Sequence, residues 1–99
     1  MRILVVCNGG MSSSILAKKI NKAATSRGID AVAEAKSNSG LNEEIGKWDV
    51  CLVAPQIMYA VESVQKTLGI PVASIDGKVY AVADGDKALD RALELLKIK

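Results

Sequence analysis

The sequence has no histidine, only three arginines, and two cysteines that stand too far apart to form a Cys-x-x-Cys pair. Without histidine a Cys–His nucleophilic dyad within one chain is excluded, and so is a phosphohistidine. The missing paired motif argues against a thioredoxin-like redox centre, and two cysteines set in apolar runs do not make a disulfide framework. The arginines are Arg2, Arg27 and Arg91. A cysteine-dependent phosphatase loop of the C-x5-R type requires an arginine six residues after its nucleophile, where the guanidinium clamps phosphate with two parallel hydrogen bonds. Six residues after Cys7 stands Ser13. No segment approaches the roughly 20 apolar residues of a membrane-spanning helix. The opening apolar run, Ile3 to Val6, is too short for a signal peptide. A net charge of +2, with no basic run longer than two residues, argues against a nucleic-acid partner.

What remains is a chain of 99 residues, 49% of them hydrophobic, with much of that fraction Ala and Val. This length fits one domain, residues 1–99, and a chain of this size buries roughly 60–70% of its unfolded surface without staples. The reading is of a reduced, cytoplasmic protein. Ile3 to Val6 is a continuous branched apolar run, as in a buried parallel strand. A helix follows to about Arg27, with Leu16, Ile20, Ala23 and Ala24 on one face, Lys18, Lys19 and Lys22 largely off it, and Gly28 as its stop. Ser13 or Ser14 is placed to cap it. Residues 29–35 are expected as a second, less central strand, 37–40 as a loop, and 41–46 as a short helix. Residues 49–54 make a third strand closed by Pro55, and a helix carrying Val61, Val64 and Leu68 ends at Gly69. A fourth strand covers 70–75, with Pro71 at its start. After a loop, Asp84 or Asp86 caps a last helix whose apolar stripe is Ala88, Leu89, Ala92, Leu93 and Leu96.

Alternation of strands and helices predicts a parallel α/β sheet with helices on both faces and right-handed crossovers. In such sheets ligands bind beyond the carboxyl ends of the strands. Cys7, Pro55-Gln56 and Asp76 each follow a strand and are expected on that edge.

Cys7 opens the segment Asn8-Gly9-Gly10-Met11-Ser12-Ser13-Ser14, which feeds the first helix. Glycines let backbone N–H groups approach an anion, the serines add hydroxyls, and the helix terminus adds a partial positive charge. Such a place favours a thiolate, or a phosphate carried on it. Cys51, flanked by Val50 and Leu52, reads as core filler. The bland readings are that the serines cap the helix, that Asp76-Gly77 is a turn, that Trp48 packs, and that Lys18-Lys19 is a solvated face. Gln56 and Tyr59 either start a helix and pack against the sheet or reach the site; the sequence leaves both open.

Cys7-x-x-Gly10-Met11-Ser12-x-Ser14 after an apolar strand resembles the phosphorylation loop of the lactose/cellobiose-type enzyme IIB of the bacterial sugar phosphotransferase system. The resemblance continues at Pro55-Gln56-Ile57-x-Tyr59 and at Ile75-Asp76, Tyr80 and Asp84-Gly85, spanning nearly the whole chain in order, and the length suits a free-standing subunit. It implies a three-layer sandwich with a four-stranded parallel sheet in the order 2-1-3-4, similar to low-molecular-weight tyrosine phosphatase. It implies that Cys7 accepts a phosphoryl group from a phosphohistidine of enzyme IIA. The group then passes to a sugar, typically a β-linked disaccharide such as cellobiose, chitobiose or lactose, bound by the membrane-embedded enzyme IIC. The loop from Asn8 to Ser14 would hold the phosphate, and Pro55, Gln56, Tyr59, Asp76 and Tyr80 would form the rim or touch a partner. Met11 and Met58 are docking candidates. No metal and no cofactor are implied; the subunit would be monomeric when isolated and recruited to the inner face of the membrane through IIC. Mannose-type subunits use histidine and are excluded. Galactitol- and ascorbate-type loops read differently after the cysteine. The chain departs from the family pattern at Asn8-Gly9, where Ser-Ala is typical. Two competing readings are a phosphatase-like or arsenate-reductase-like enzyme, disfavoured by Ser13, and a regulatory domain that uses its phosphoryl state as a signal.

Overall fold

The protein is described here from a computed structural model covering residues 1–8 and 11–98, the side chains of Met11 and Ile98 excepted. Strands β1 (Arg2–Cys7), β2 (Val32–Ser37), β3 (Val50–Val53) and β4 (Val72–Ser74) pair in parallel in the order β2-β1-β3-β4. The two central strands are the two continuous apolar runs, and Ile3 to Val6 and Val50 to Val53 are fully buried because helices cover both faces.

The pleat divides the core into two layers. On one side Ile3, Val5 and Leu52 meet Leu16 and Ile20 of α1 (Met11–Arg27) and Leu89 and Ala92 of α4 (Gly85–Ile98). On the other, Leu4, Val6, Cys51 and Val53 meet Val64 and Leu68 of α2 (Val61–Leu68). Two short 3-10 segments, Asn38–Glu44 and Pro55–Ala60, close this second layer with Leu41 and Ile57, while α3 (Gly77–Ala81) links β4 to α4. Each fully buried Leu, Ile or Val contributes about 1.5–3 kcal/mol relative to exposure.

The expected three-layer α/β fold and strand order are therefore present, and several local expectations are corrected. The first helix starts at Met11, so Ser13 and Ser14 lie inside its first turn and do not cap it. The second strand begins three residues later than expected: Ala31 donates to the Ile29 carbonyl in a tight turn, and pairing starts where Val32 donates to the Met1 carbonyl. Over the expected loop and short helix at 37–46, Ser37 ends β2 and Asn38–Glu44 is 3-10 in two pieces on either side of a kink at Gly40, entered through a turn in which Ser39 N–H donates to Ser37 Oγ. In the last helix the expected stripe does pack on the core, Ala88, Leu89 and Ala92 buried and Leu93 and Leu96 partly so, and Leu95, which was not expected, is buried with it. Gly28 ends α1 and Gly69 ends α2 with φ of +68° and +67°, the left-handed conformation that favours glycine. Asp84 caps α4, its Oδ1 accepting from Lys87 N–H at 3.1 Å.

Candidate functional site

Cys7 is the last residue of β1, a strand flanked on both sides, so its thiol stands at the middle of the carboxyl edge of the sheet. It is 5% exposed and packs with Val6, Ala54 and Ile57. Its Sγ–H points to the Lys36 carbonyl at 3.9 Å, a long, weak contact, and its register partner on β2 is Ser37. Lys36 and Ser37 were not expected at the site. Their position follows from the late start of β2, which carries the strand two residues past its expected end and brings its terminus beside the thiol. Apolar patterning gives no signal for this, because Lys36 and Ser37 are both exposed.

Asn8 is exposed. Gly9, Gly10 and the side chain of Met11 lie outside the described residues. Beyond them α1 begins, with no acidic residue in its first turn. The first N–H groups of a helix lack intrahelical acceptors, and its N-terminus carries about half a positive charge. Ser12 and Ser14 are exposed, whereas Ser13 is fully buried and its Oγ lies 2.9 Å from the Tyr80 hydroxyl on α3.

No arginine compensates for Ser13. Arg2, at the opposite end of β1 from Cys7, stacks over the Trp48 ring at 4.8 Å, and Trp48 is a packing residue whose indole N–H donates to Glu44. Arg27, at the far end of α1, is paired with Asp86 and Asp90, and Arg91 with Glu94.

The other expected rim residues follow from topology. Pro55 comes after β3 and Asp76 after β4, both on the edge that holds Cys7, at one and two strand spacings of about 4.8 Å from β1. Pro55 is half-buried, Gln56 is exposed, and Tyr59 is 81% exposed, so Gln56 and Tyr59 do not pack into the sheet. Met58 and Ile15 are also unusually exposed for apolar residues. Asp76 is exposed, and its backbone carbonyl accepts from Tyr80 N–H. It borders a groove of about 500 Å3 between β4 and α4, whose walls include Leu52, Ile75, Val79 and Arg91 but not Cys7. Cys51 is a core residue, as expected: burial pushes its thiol up to about 12. Among the described residues no cluster of His, Cys, Asp or Glu is suited to a metal ion.

A thiol at the carboxyl end of a central parallel strand, four residues before the start of a helix, in a sheet ordered β2-β1-β3-β4, defines a class of three-layer α/β proteins. Within that class the comparison with known proteins is specific. A family model described as the lactose/cellobiose specific IIB subunit of the phosphotransferase (PTS) system matches residues 2–91, and the chain belongs to this family. The PTS system oligo-beta-mannoside-specific EIIB component of Bacillus subtilis (strain 168) is 36% identical over 98 residues, covering 96% of this chain and 95% of the relative. The solution structure of the cellobiose-specific phosphotransferase IIB component protein from Borrelia burgdorferi superimposes with a TM-score of 0.82 at 37% identity, covering 100% of this chain and 94% of that one. A PTS system lactose-specific EIICB component of Streptococcus mutans serotype c is 34% identical over 92 residues, which are 88% of this chain and 16% of that protein. The chain is thus a IIB component of lactose/cellobiose type, a phosphotransferase of sugar transport. No helix among the described residues is long and apolar enough to cross a membrane.

Proposed function

We propose that Cys7 is the phosphoryl carrier of this component. The Cys7 thiolate attacks the phosphorus of a phosphohistidine on enzyme IIA in line; an S–P bond forms, the P–N bond breaks, and the imidazole leaves with a proton. In the second transfer a sugar hydroxyl on enzyme IIC attacks the phosphocysteine. The O–P bond forms as the S–P bond breaks, the hydroxyl proton is released to solvent, and the thiolate is regenerated. The N–H groups of Asn8 to Ser14 and the exposed hydroxyls of Ser12 and Ser14 hold the phosphate oxygens, while the buried Ser13 contributes backbone only. The rim formed by Pro55, Gln56, Tyr59 and Asp76, with Met58, faces the partners. The sugar is a β-linked disaccharide, and the single IIB domain works at the cytoplasmic face of the membrane beside IIC.

One observation carries this reading: Cys7 ends the central strand and is followed by the N-terminus of α1, on the edge that also holds Pro55 and Asp76. Relatives named as EIICB components support a IIC partner, since their names join the two parts in one chain. The engagement of all three arginines elsewhere supports a carrier over a phosphatase, because nothing in the arginine set serves a hydrolytic transition state. The test is phosphorylation of a β-linked disaccharide by membranes containing a IIC of this type, driven by phosphoenolpyruvate through the general phosphotransferase proteins and IIA. Sugar phosphate that appears only when this protein is added is the expected result. Phosphorylation of the protein without any transfer to sugar would favour the signalling reading instead.

A further inference from the structure

Ser13 takes the place where a C-x5-R loop has its arginine, yet it is not turned outward toward a bound phosphate. It is fully buried, and its hydroxyl meets that of Tyr80 at 2.9 Å across 67 residues of sequence. A buried hydroxyl needs a partner, and Tyr80 supplies one. Tyr80 is itself held firmly. Its N–H donates to the Asp76 carbonyl and its carbonyl accepts from Ala83 N–H. Its ring packs against both apolar layers, the one under α1 and α4 and the one under α2. The side chain thus reaches both layers of the sandwich and ends on the first turn of α1.

We infer that Ser13 and Tyr80 are a positioning pair for phosphoryl transfer: the hydroxyl contact sets the placement of the α1 N-terminus relative to Cys7. This rests on the carrier reading above and assigns Tyr80 a role inside the protein instead of one on the partner-facing rim. The physical reason is that a helix end stabilises a developing phosphoryl anion only at hydrogen-bond distance, and displacement of such a group by about 1 Å costs up to about a hundredfold in rate. Ser13 lies in the same turn as the N–H groups concerned, so a shift at its hydroxyl is carried directly to them.

The experiment measures phosphorylation of the protein by phosphorylated cellobiose-type IIA, with kcat and KM for that donor determined separately. It compares wild type, Tyr80→Phe, Ser13→Ala, the double variant and Cys7→Ser, with rates expressed per folded protein. Each single variant is expected to lower kcat about tenfold while KM stays within twofold, and the double variant is expected to be no slower than the worse single one. Two outcomes overturn the pairing: wild-type kcat in either single variant that folds, or losses that multiply in the double variant. Raised KM at unchanged kcat overturns it too and returns Tyr80 to the docking rim. If Tyr80→Phe does not fold, Ser13→Ala decides alone. Failure of the carrier reading has a different signature: wild type takes no phosphate from a competent donor, and the inference falls with it.

Discussion

Gly85 lies directly against Lys19: a Cβ on Gly85 would come within 2.3 Å of the Lys19 carbonyl carbon and oxygen and 2.8 Å of Ile20 N. Backbone meets backbone where α4 crosses α1, and there is no flexible side chain to move aside. This crossing holds α4 against the helix that begins four residues after Cys7. Gly85→Ala must separate the two helices, and overpacking of this kind costs typically about 1–3 kcal/mol. Urea denaturation is expected to show a loss in that range or above it; a loss below about 0.5 kcal/mol would mean that the helices are not in contact at this point.

Cys51 separates structure from chemistry. It is fully buried between β1 and β4, and burial pushes its thiol up to about 12. A value raised in the folded state means that its contribution to stability is complete below the ordinary thiol range. It is lost as pH climbs from about 9 towards 12. At neutral pH Cys51 is expected to resist alkylation until denaturant is added. Cys51→Ser is expected to leave phosphoryl transfer intact but to lower stability by about 1–3 kcal/mol, since the serine hydroxyl enters an apolar layer. Loss of transfer in a folded Cys51→Ser protein would place chemistry where none is expected.

The pair Arg27–Asp90, at 2.6 Å, ties the end of α1 to α4. The hydrogen bond from Arg27 holds the Asp90 carboxyl below its usual range. A depressed folded value means that the contribution is present above the unfolded value near 4 and lost as pH falls through the folded one. Asp90→Asn is therefore expected to lower Tm slightly at pH 7. The difference should shrink on acidification below about pH 4 and in high salt, because the pair is exposed. A difference that stays constant from neutral to strongly acid pH would contradict this account.

The architecture was legible where burial is complete. Ile3 to Val6 and Val50 to Val53 are continuous apolar runs because both faces of those strands are covered, and the parallel order then places Cys7, Pro55 and Asp76 on one edge. Patterning failed on the edge strand β2. Ile29 and Ala31 are apolar but belong to a turn, while Val32 is half exposed inside the strand. The start of α1 was misplaced because Ser13 and Ser14 look like caps, yet the Ser13 hydroxyl is taken by Tyr80. That contact spans most of the chain, so no local signal announces it. Lys36 and Ser37 escaped notice for the same reason: the register of a parallel pair brings them to Cys7.

The central claim is that Cys7 carries the phosphoryl group, and intact mass with peptide mapping tests it most directly. The protein would be incubated with phosphoenolpyruvate, the general phosphotransferase proteins and a cellobiose-type IIA, with wild type, Cys7→Ser and Cys51→Ser side by side. The account predicts a gain of one phosphate on the peptide holding Cys7, retained in Cys51→Ser and absent in a folded Cys7→Ser. Undiminished phosphorylation of Cys7→Ser, or a phosphate mapped to any other residue, would contradict it.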